Sequence, residues 1–597
     1  MTTKAHIPRK FVWLIALVAT IAIVLLTIWL EQSLTPAQTI VTNSPPLFSV
    51  PSGNYNNNFS LKLTTENPDA QIIYTTNSHS PEPASALTYT SPIILNAAEP
   101  NVTVIRARTV LPDGSMSDEV IGTYAMGVET DLPLVSLVVE PNDLWSTERG
   151  ILTNPKMSGR EWERAANITY LDENGRLAFS EPVGIRLHGQ ASRFLDKQSM
   201  RLYFRREYGP GRLNYPLYPE SDVISFDRLV LHSGGQDTSQ FSANWTLMRT
   251  QLMAKLAQQI DAYTTNNQPV LLFLNGKLYG IYHLRERSDE TYFQDHYGIE
   301  NVQVLNITHR EPEQPKEIED WQNLVAYAAG NDMANPDHYA YVLSQIDIDN
   351  MIDHYILQMY AANNDWPQNN ERIFRSDDPL ARWQWFLWDV DYSFGLMPVS
   401  SLDFDMVTWL MHPKNSFVED TTLLFRSLWA NLDFRNRFLV RTADLLNSEL
   451  SSENVSAQLA QIEAKLINDI GYEIARWGNP GNWYTSAEEM QTFAEERPNI
   501  MRRHFIEGFN LSGTAVFSFK PAAAGKGSLI LNGRRTPDLP YTGEYFLDTT
   551  IEVTAIPDAG YQFAGWEVNG EMVGEETAVL HYTLTQDTTI TPHFTRP

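Results

Sequence analysis

Cysteine is absent from all 597 residues of this chain. Without thiols, the protein forms no disulfides, has no thiolate nucleophile and holds no cysteine-ligated zinc. This composition fits an exported protein that does not rely on oxidative folding.

Several short signature motifs are also missing. The sequence has neither a G-x-G-x-x-G nor a Walker A motif, and Gly525-Lys526-Gly527-Ser528 lacks the upstream glycine spacing. It has no G-x-S-x-G, and none of its 13 histidines lies in H-E-x-x-H, so His188 and His283 are predicted to be structural. No motif supports a hydrolase elbow or a zinc-protease site, and any nucleotide site must be built without a glycine-rich loop.

Positive charge is scarce. The chain has 44 Lys and Arg against 72 Asp and Glu, a formal net charge of −28, and no basic block. Nucleic acid is therefore not expected as a partner, because binding a phosphate backbone needs a positive surface. The hydrophobic content of 43% indicates packed domains rather than disorder. A chain of this length is too long for one core and predicts several domains.

Residues 11–30 form an uncharged apolar run of twenty residues, long enough for a transmembrane helix. Lys4, Arg9 and Lys10 precede it, whereas the next thirty residues contain no Lys or Arg. This asymmetry predicts that residues 1–10 are cytoplasmic. A cleaved signal peptide, the alternative, normally has a shorter apolar region and a small-residue cleavage site. We therefore predict a single-pass protein of the cell membrane whose body is extracytoplasmic.

The rest of the chain divides into four parts. Residues 31–45 are polar and contain proline, which is typical of a linker. Short alternating runs separated by turn residues predict a small β-sandwich over 46–126 and a second β module over 513–597. Between them, 130–510 begins with strands, including the hairpin signal Asn275-Gly276, and ends with helical apolar spacing. The predicted fold class is multidomain: an N-terminal transmembrane helix, then an α+β core flanked by two small all-β modules.

The most informative stretch is Trp388-Asp389-Val390-Asp391-Tyr392-Ser393-Phe394-Gly395. The aromatic run 383–390 predicts a mostly buried strand. Asp389 and Asp391, two residues apart, would then point the same way at its end. Two adjacent carboxylates repel each other unless a cation lies between them, and an oxygen-only pair suits Mg²⁺ or Ca²⁺. Alone, such a pair is also typical of a cap or a salt-bridge partner.

Asp365 and Asn370 have the D-x-x-x-x-N spacing of a kinase catalytic loop. In that loop, the Asp accepts the proton of the substrate hydroxyl and the Asn holds a metal. A helix-like segment, 349–362, leads into Asp365, and the Asp pair precedes Phe394-Gly395 much as the kinase D-F-G aspartate precedes Phe-Gly. The order and short separation of these motifs favour phosphoryl transfer over chance.

Four ordered segments resemble the CotH kinase family, the atypical protein kinases similar to spore coat protein H. These segments are 184–193, 196–204, 275–286 and 388–395. The resemblance covers about residues 130–510. The family usually has two basic residues where this chain has Lys197-Gln198, which leaves Lys197 as the only lysine of that motif. Segments 51–55, 73–77 and 89–93 resemble the immunoglobulin-like C-terminal module of chitobiases, and residues 513–597 resemble the internalin B-repeat. The first module is interpreted as a spacer rather than a glycan-facing accessory, and the second as an envelope-contact module or a terminal spacer.

The resemblance implies a kinase-like core that binds ATP with Mg²⁺ or Mn²⁺. Within this core, Asp365 is the predicted catalytic acceptor of the hydroxyl proton. Asn370, Asp389 and Asp391 are the predicted metal ligands.

The resemblance also assigns the cationic side of the site. Lys197 is the predicted catalytic and phosphate-contacting lysine, with Arg193 and Arg201 lining the same site. The alternative is a solvated basic strand edge. Glu286 would pair with Lys197, as a kinase glutamate orients its lysine, or would lie at the surface of a strand end. Arg249 is predicted to form a helix-face salt bridge rather than a phosphate contact.

Two functional hypotheses follow. The first is a membrane-anchored extracytoplasmic protein kinase that transfers the ATP γ-phosphoryl to Ser or Thr of an envelope or secreted protein. The second is a non-catalytic cell-surface protein whose kinase-like core holds a metal and whose β modules bind cell-wall glycan. ATP is scarce outside the membrane, which weighs against the first. The joint presence of the predicted site residues favours it, because a scaffold does not need them all.

Overall fold

The computed structural model describes residues 17–28, 43–307, 315–414, 416–520, 526–534, 540–573 and 577–597. Residues 17–28, inside the predicted anchor, are helical. The rest of that anchor, the predicted cytoplasmic tail 1–10 and residues 31–42 of the predicted linker lie outside the described residues. Within the described ranges, no helix combines the length and the apolar character needed to span a bilayer.

The first β module, over residues 43–126, is built from short strands. One sheet has the order Gly53–Tyr55, Val120–Met126, Asn101–Val110, Gln71–Thr75 and Leu87–Thr88. Two further pairs are Leu47–Phe48 with Leu63–Thr64 and Phe59–Leu61 with Ile93–Leu95. Leu61, Ile105 and Tyr124 are fully buried where these layers pack together. The alternating apolar residues of the strands thus form one small core.

The central domain begins with a closed barrel. Its strands, in order around the barrel, are Leu134–Val139, Arg164–Leu171, Leu177–Leu187, Met200–Tyr203, Arg228–His232, Lys277–Arg285 and Asn267–Leu274. Neighbours are antiparallel except for the first and last strands, whose parallel pairing closes the barrel. Asn275 and Gly276 form the predicted hairpin turn with φ of 52° and 74°. That prediction is confirmed, whereas the closure of the barrel was not foreseen.

Helices dominate the second half of the central domain. The described helices of the whole domain are Pro141–Trp145, Arg249–Gln259, Glu290–Tyr297, Pro315–Gly330, Pro336–Gln345, Ile348–Tyr360, Met406–Met411, Ser416–Thr421, Leu423–Leu428, Leu432–Leu446, Ser452–Leu466, Ile470–Trp477 and Trp483–Phe509. An antiparallel sheet, Gln303–Asn306, Arg372–Arg375 and Gln384–Phe386, packs among them. Single 3₁₀ turns lie at Arg160–Trp162, Ala191–Phe194 and Pro398–Ser400. Two short strands, Leu213–Asn214 and Ser225–Phe226, pair outside the barrel.

The C-terminal module contains two sheets. The first has the order Tyr541–Phe546, Thr514–Phe519, Thr588–Thr595, Gln562–Val568 and Glu571–Val573. The second has the order Gly527–Leu531, Thr550–Pro557 and Val579–Thr583. Asp444, on helix Leu432–Leu446, is buried at the junction, where its Oδ1 accepts from the Tyr545 hydroxyl at 2.6 Å. Burial and the Asp444 charge raise the pKa of Tyr545 well above its usual value.

We expect Tyr545→Phe to lower the free energy of unfolding by about 1.5–3 kcal/mol, the usual contribution of a hydrogen bond to a charged group. Urea unfolding followed by tryptophan fluorescence measures the change. Tyr341→Phe is the matched control, because Tyr341 is 45% exposed and its hydroxyl has no hydrogen bond among the described residues. Equal effects of the two substitutions would show that the Asp444 contact does not stabilise the junction.

Candidate functional site

A cleft of about 700 Å³ lies between the barrel and the helical half of the central domain. Barrel residues such as His188 and Arg285 line one wall, and loop residues such as Asp365 and Asp389 line the other. A second cleft, of about 650 Å³, lies beside Tyr263 and contains none of the predicted site residues. The predicted site residues that line either cleft therefore all line the first one.

The loop after helix Ile348–Tyr360 carries the first acidic group of the cleft. The helix begins at Asp347, whose side chain accepts from Asn350 N at 3.1 Å, a normal N-cap. Ala362, with φ of 51°, turns the chain at its end. The helix, Ile348–Tyr360, thus begins one residue before the predicted segment 349–362 and ends two residues before the end of that segment.

Asp365 and Asn370 are in direct contact, a pairing that the spacing of the motif did not predict. Asp365 Oδ2 accepts from Asn370 Nδ2 at 2.9 Å, and Oδ1 accepts from Asn369 Nδ2 at 2.8 Å. Asn370 has φ of 59°, a left-handed conformation that Asn tolerates better than most residues. Two amides thus fix the orientation of the Asp365 carboxylate at the cleft wall.

Asp389 and Asp391 do not lie on a strand, contrary to the prediction. The strand ends at Phe386 rather than Val390, and Asp389 has φ of 54°, so strand alternation does not relate the two carboxylates. The prediction of a strand over 383–390 was wrong in its second half. Asp389 lines the cleft, whereas Asp391 is only 2% exposed and accepts from Gln236 N at 2.7 Å.

Asp391 is buried close to a second carboxylate, Asp389. Burial, followed by the nearby charge of Asp389, raises the pKa of Asp391 well above its usual value. A divalent cation would relieve this repulsion. Within the described ranges, no group of three or more His, Asp or Glu is arranged as a complete metal site. Mg²⁺ usually takes one or two carboxylates together with substrate phosphates, so Asp389, Asp391 and the Asn370 amide fit the metal predicted for this position.

The cleft is also rich in arginine, mostly on its barrel side. The arginines that line it are Arg201, Arg228, Arg285, Arg287 and Arg372. A guanidinium offers paired donors that match phosphate oxygens, so several of them in one cleft can bind an anion. Two of them, Arg228 and Arg287, also lie 2.9 and 3.6 Å from the Asp289 carboxylate. Burial lowers the pKa of Arg285, while Asp389 and Asp391 oppose that shift.

Of these five arginines, only Arg201 was among the predicted site residues. Arg285 and Arg287, two residues apart at the end of strand Lys277–Arg285, both line the cleft, and Glu286 between them does not. Strand alternation could have identified this pair in the motif 275–286. Arg228 and Arg372 are brought in by tertiary structure, and no sequence signal marked them.

Lys197 does not line the cleft. Its side chain is fully buried, and its Nζ donates to Glu473 Oε1 at 2.6 Å and to Ile281 O at 2.8 Å. Glu473 Oε2 in turn accepts from Ile281 N at 2.8 Å. Burial lowers the pKa of Lys197 and raises that of Glu473, and each charge partly offsets the shift of the other. Lys197 therefore makes no phosphate contact in this arrangement.

Glu286 is not the partner of Lys197, so the predicted pair is wrong. Its carboxylate contacts His296 Nε2 at 2.6 Å and accepts from Asn266 N at 3.0 Å. These bonds hold it away from the cleft. Glu473 takes its place beside Lys197. No local pattern could have identified this partner, because the two residues are 276 positions apart.

The three other arginines considered from the sequence, Arg193, Arg201 and Arg249, lie in different places. Arg201 Nε donates to His188 Nδ1 at 2.8 Å, which requires an unprotonated His188 nitrogen, and burial lowers the pKa of His188 well below its usual value. Arg193 lines a smaller adjoining cavity rather than the cleft. Arg249 forms the predicted salt bridge, to Asp237 at 2.7 Å, but both side chains are buried rather than on a helix surface.

Family comparisons agree with the three resemblances drawn from the sequence. The family model described as CotH kinase protein matches residues 185–501, more than half of the chain. The model for the chitobiase/beta-hexosaminidase C-terminal domain matches 50–121, and that for the divergent InlB B-repeat domain matches 532–597. The chain is thus multidomain, with a CotH kinase-like core between two β-rich domains. No curated protein sequence is significantly similar to it.

Among solved structures, the comparison aligns the chain with the crystal structure of a Helicobacter pylori proinflammatory kinase, CtkA. It aligns with 58% of this chain and 94% of its own, at 10% sequence identity. Its TM-score is 0.19, which is too low to establish a shared fold.

We expect Lys197→Met to lower the free energy of unfolding by about 3–5 kcal/mol, because it leaves the Glu473 charge buried without a partner. Combining it with Glu473→Leu should restore most of this loss. Urea unfolding of both variants measures the stabilities, and calorimetry measures their ATP affinities. A loss of ATP affinity in both variants with little change in stability would show that Lys197 contacts phosphate after all.

Proposed function

This chain belongs to the CotH kinase protein family, and on that premise we propose that it is a kinase that transfers the γ-phosphoryl group of ATP to a protein. The acceptor is a Ser or Thr hydroxyl of an envelope or secreted protein. The observation that carries the proposal is that one cleft brings acidic groups and arginines together. Asp365, Asn370 and Asp389 line it from the helical half, and five arginines line the same cleft, with Asp289 and Glu290 beside them.

The arginines supply the phosphate-binding side of the reaction. In a chain of net charge −28, a local group of guanidinium groups attracts an anion that the remaining surface repels. Arg285 and Arg287 project from the end of one barrel strand, and Arg372 comes from the opposite half of the domain. Contacts from both halves suit a triphosphate that spans the cleft. They also provide the charge that Lys197, buried against Glu473, does not.

Asp365 is suited to act on the acceptor hydroxyl. The hydroxyl oxygen forms a bond to the γ-phosphorus, the bond from that phosphorus to the β–γ bridging oxygen breaks, and ADP leaves. Asp365 accepts the hydroxyl proton, held in place for this by Asn369 and Asn370. Asn370, Asp389 and Asp391 would hold Mg²⁺ or Mn²⁺, which neutralises charge on the phosphates when bound.

We further propose that residues 11–30 anchor the protein in the cell membrane, with residues 1–10 in the cytoplasm and the body outside. The uncharged run and the basic residues before it support this topology. The chitobiase-like module, matched at 50–121, would then face the envelope, where cell-wall glycan is a candidate partner. The location also requires a source of ATP outside the cytoplasm.

Transfer of label from γ-labelled ATP to protein tests the kinase proposal. We expect Asp365→Asn to lower turnover by about 10²–10⁴-fold, the usual effect of losing a general base. Melting temperature and ATP affinity should stay close to those of the parent. Asp337→Asn is the control, because Asp337 is an exposed carboxylate at the start of another helix. An Asp365→Asn variant that melts normally and transfers at the parental rate would contradict the role of Asp365.

The same preparation tests the metal. Calorimetry should show ATP binding with Mg²⁺ or Mn²⁺ and little binding without either, and Asp389→Asn should remove this dependence. Equal ATP binding by parent and variant without metal would argue against the metal site.

Protease accessibility tests the topology. Protease added to intact cells should digest the chain beyond about residue 31 and leave the N-terminal tail protected. Full digestion only after lysis would place the body inside the cell.

A further inference from the structure

A small cavity of about 130 Å³ adjoins the main cleft and shares Gly189 and Arg201 with it. Two more arginines, Arg186 and Arg193, line this cavity, and Asp and Glu are absent from its lining. Its remaining wall is largely apolar and includes Met157 and Trp162. Three cationic side chains thus meet in a confined space without a lining carboxylate.

These arginines lack adequate anionic partners. Arg193 Nη2 donates to Met157 O at 2.5 Å, and Arg201 Nε donates to the neutral His188 ring. Within the part of the chain that the structure describes, neither of them has a carboxylate oxygen within 4.0 Å. Nε of Arg193 is buried without a hydrogen bond, and burial lowers the pKa of this guanidinium.

Arg186 is only partly compensated. Its Nε lies 3.4 Å from Glu163 Oε2 and is buried without a hydrogen bond. The same carboxylate also serves Arg160, at 3.3 Å, and Arg205, at 3.0 Å. Arg160 has a second partner, Glu207, at 2.5 Å, but Arg186 and Arg205 share Glu163 alone. Buried charge is costly unless it is paired, so this region has an unfilled capacity for negative charge.

We propose that this cavity is a second oxyanion site, and that it takes a phosphate group carried by the acceptor polypeptide. The inference rests on the proposed kinase function. Cavities for whole small-molecule ligands usually measure about 300–1,000 Å³, so 130 Å³ suits a single phosphate-sized group rather than a nucleotide. A phosphate monoester offers three terminal oxygens and close to two negative charges, which match three guanidinium groups better than one carboxylate does.

The connection between the cavities allows one bound polypeptide to reach both of them. Arg201 belongs to both, so a group in the small cavity lies beside the cleft that holds Asp365. A polypeptide whose hydroxyl lies at Asp365 can place a neighbouring phosphorylated residue against Arg186 and Arg193. The enzyme would therefore prefer acceptors that another kinase, or an earlier turnover, has already phosphorylated nearby.

Binding experiments on the full-length protein in detergent micelles test the site without requiring catalysis. The probes are inorganic phosphate and two serine peptides that differ only in one phosphate, titrated after a non-hydrolysable ATP analogue and Mg²⁺ have saturated the cleft. We expect the phosphorylated peptide to bind at least tenfold more tightly than its partner, and phosphate to bind without displacing the nucleotide. Arg186→Gln should reduce the peptide preference to about onefold.

Two further variants keep the test decisive. Arg160→Gln is the matched control, because Arg160 shares Glu163 but does not line the cavity. Met157→Glu introduces a carboxylate among the arginines, and should abolish phosphate binding even if Arg186→Gln does not fold.

Three results would overturn the proposal. They are equal binding of the two peptides by the parent, full competition between phosphate and the nucleotide analogue, and equal losses in Arg186→Gln and Arg160→Gln. Failure of the kinase proposal gives a different pattern, because absence of label transfer leaves these binding measurements intact.

Discussion

One ion pair, sealed from water, joins the two halves of the central domain. Lys197 belongs to the barrel side and Glu473 to helix Ile470–Trp477, and together they bind both backbone groups of Ile281. A buried charge is tolerated only with a close partner and satisfied hydrogen bonds. The barrel and the helix must therefore keep their relative position. The pair thus ties this helix to the barrel, which carries most of the arginines of the cleft.

The cleft owes its chemistry to charged groups from both of its walls. Most of its arginines come from the barrel strands and the loops after them, whereas Asp365 and Asp389 come from loops of the helical half. Asn370 and Asp389 both have positive φ, which turns the loops sharply enough to present their polar atoms to the cleft. The proposed function needs groups from both halves, because most of the arginines and the predicted metal ligands come from different halves of the domain.

The sequence by itself determined those features whose parts are close along the chain. Asn275-Gly276 dictates its hairpin because only the two turn residues need positive φ. The contact of Asp365 with Asn370 spans five positions, and a short loop leaves few ways to arrange it. Four ordered motifs were also enough to indicate the family, and the match over 185–501 agrees with them.

Tertiary structure alone decided the rest. Closure of the barrel, the partner of Lys197 and the gathering of Arg228 and Arg372 each join segments far apart in sequence. Local periodicity carries no information about such pairings, since it reports which face of an element is apolar but not which distant element covers it. The prediction of a strand over 383–390 was wrong in its second half for a related reason. The aromatic residues of this run are buried against surrounding helices, and Asp389 has a positive φ, with its carboxylate in the cleft.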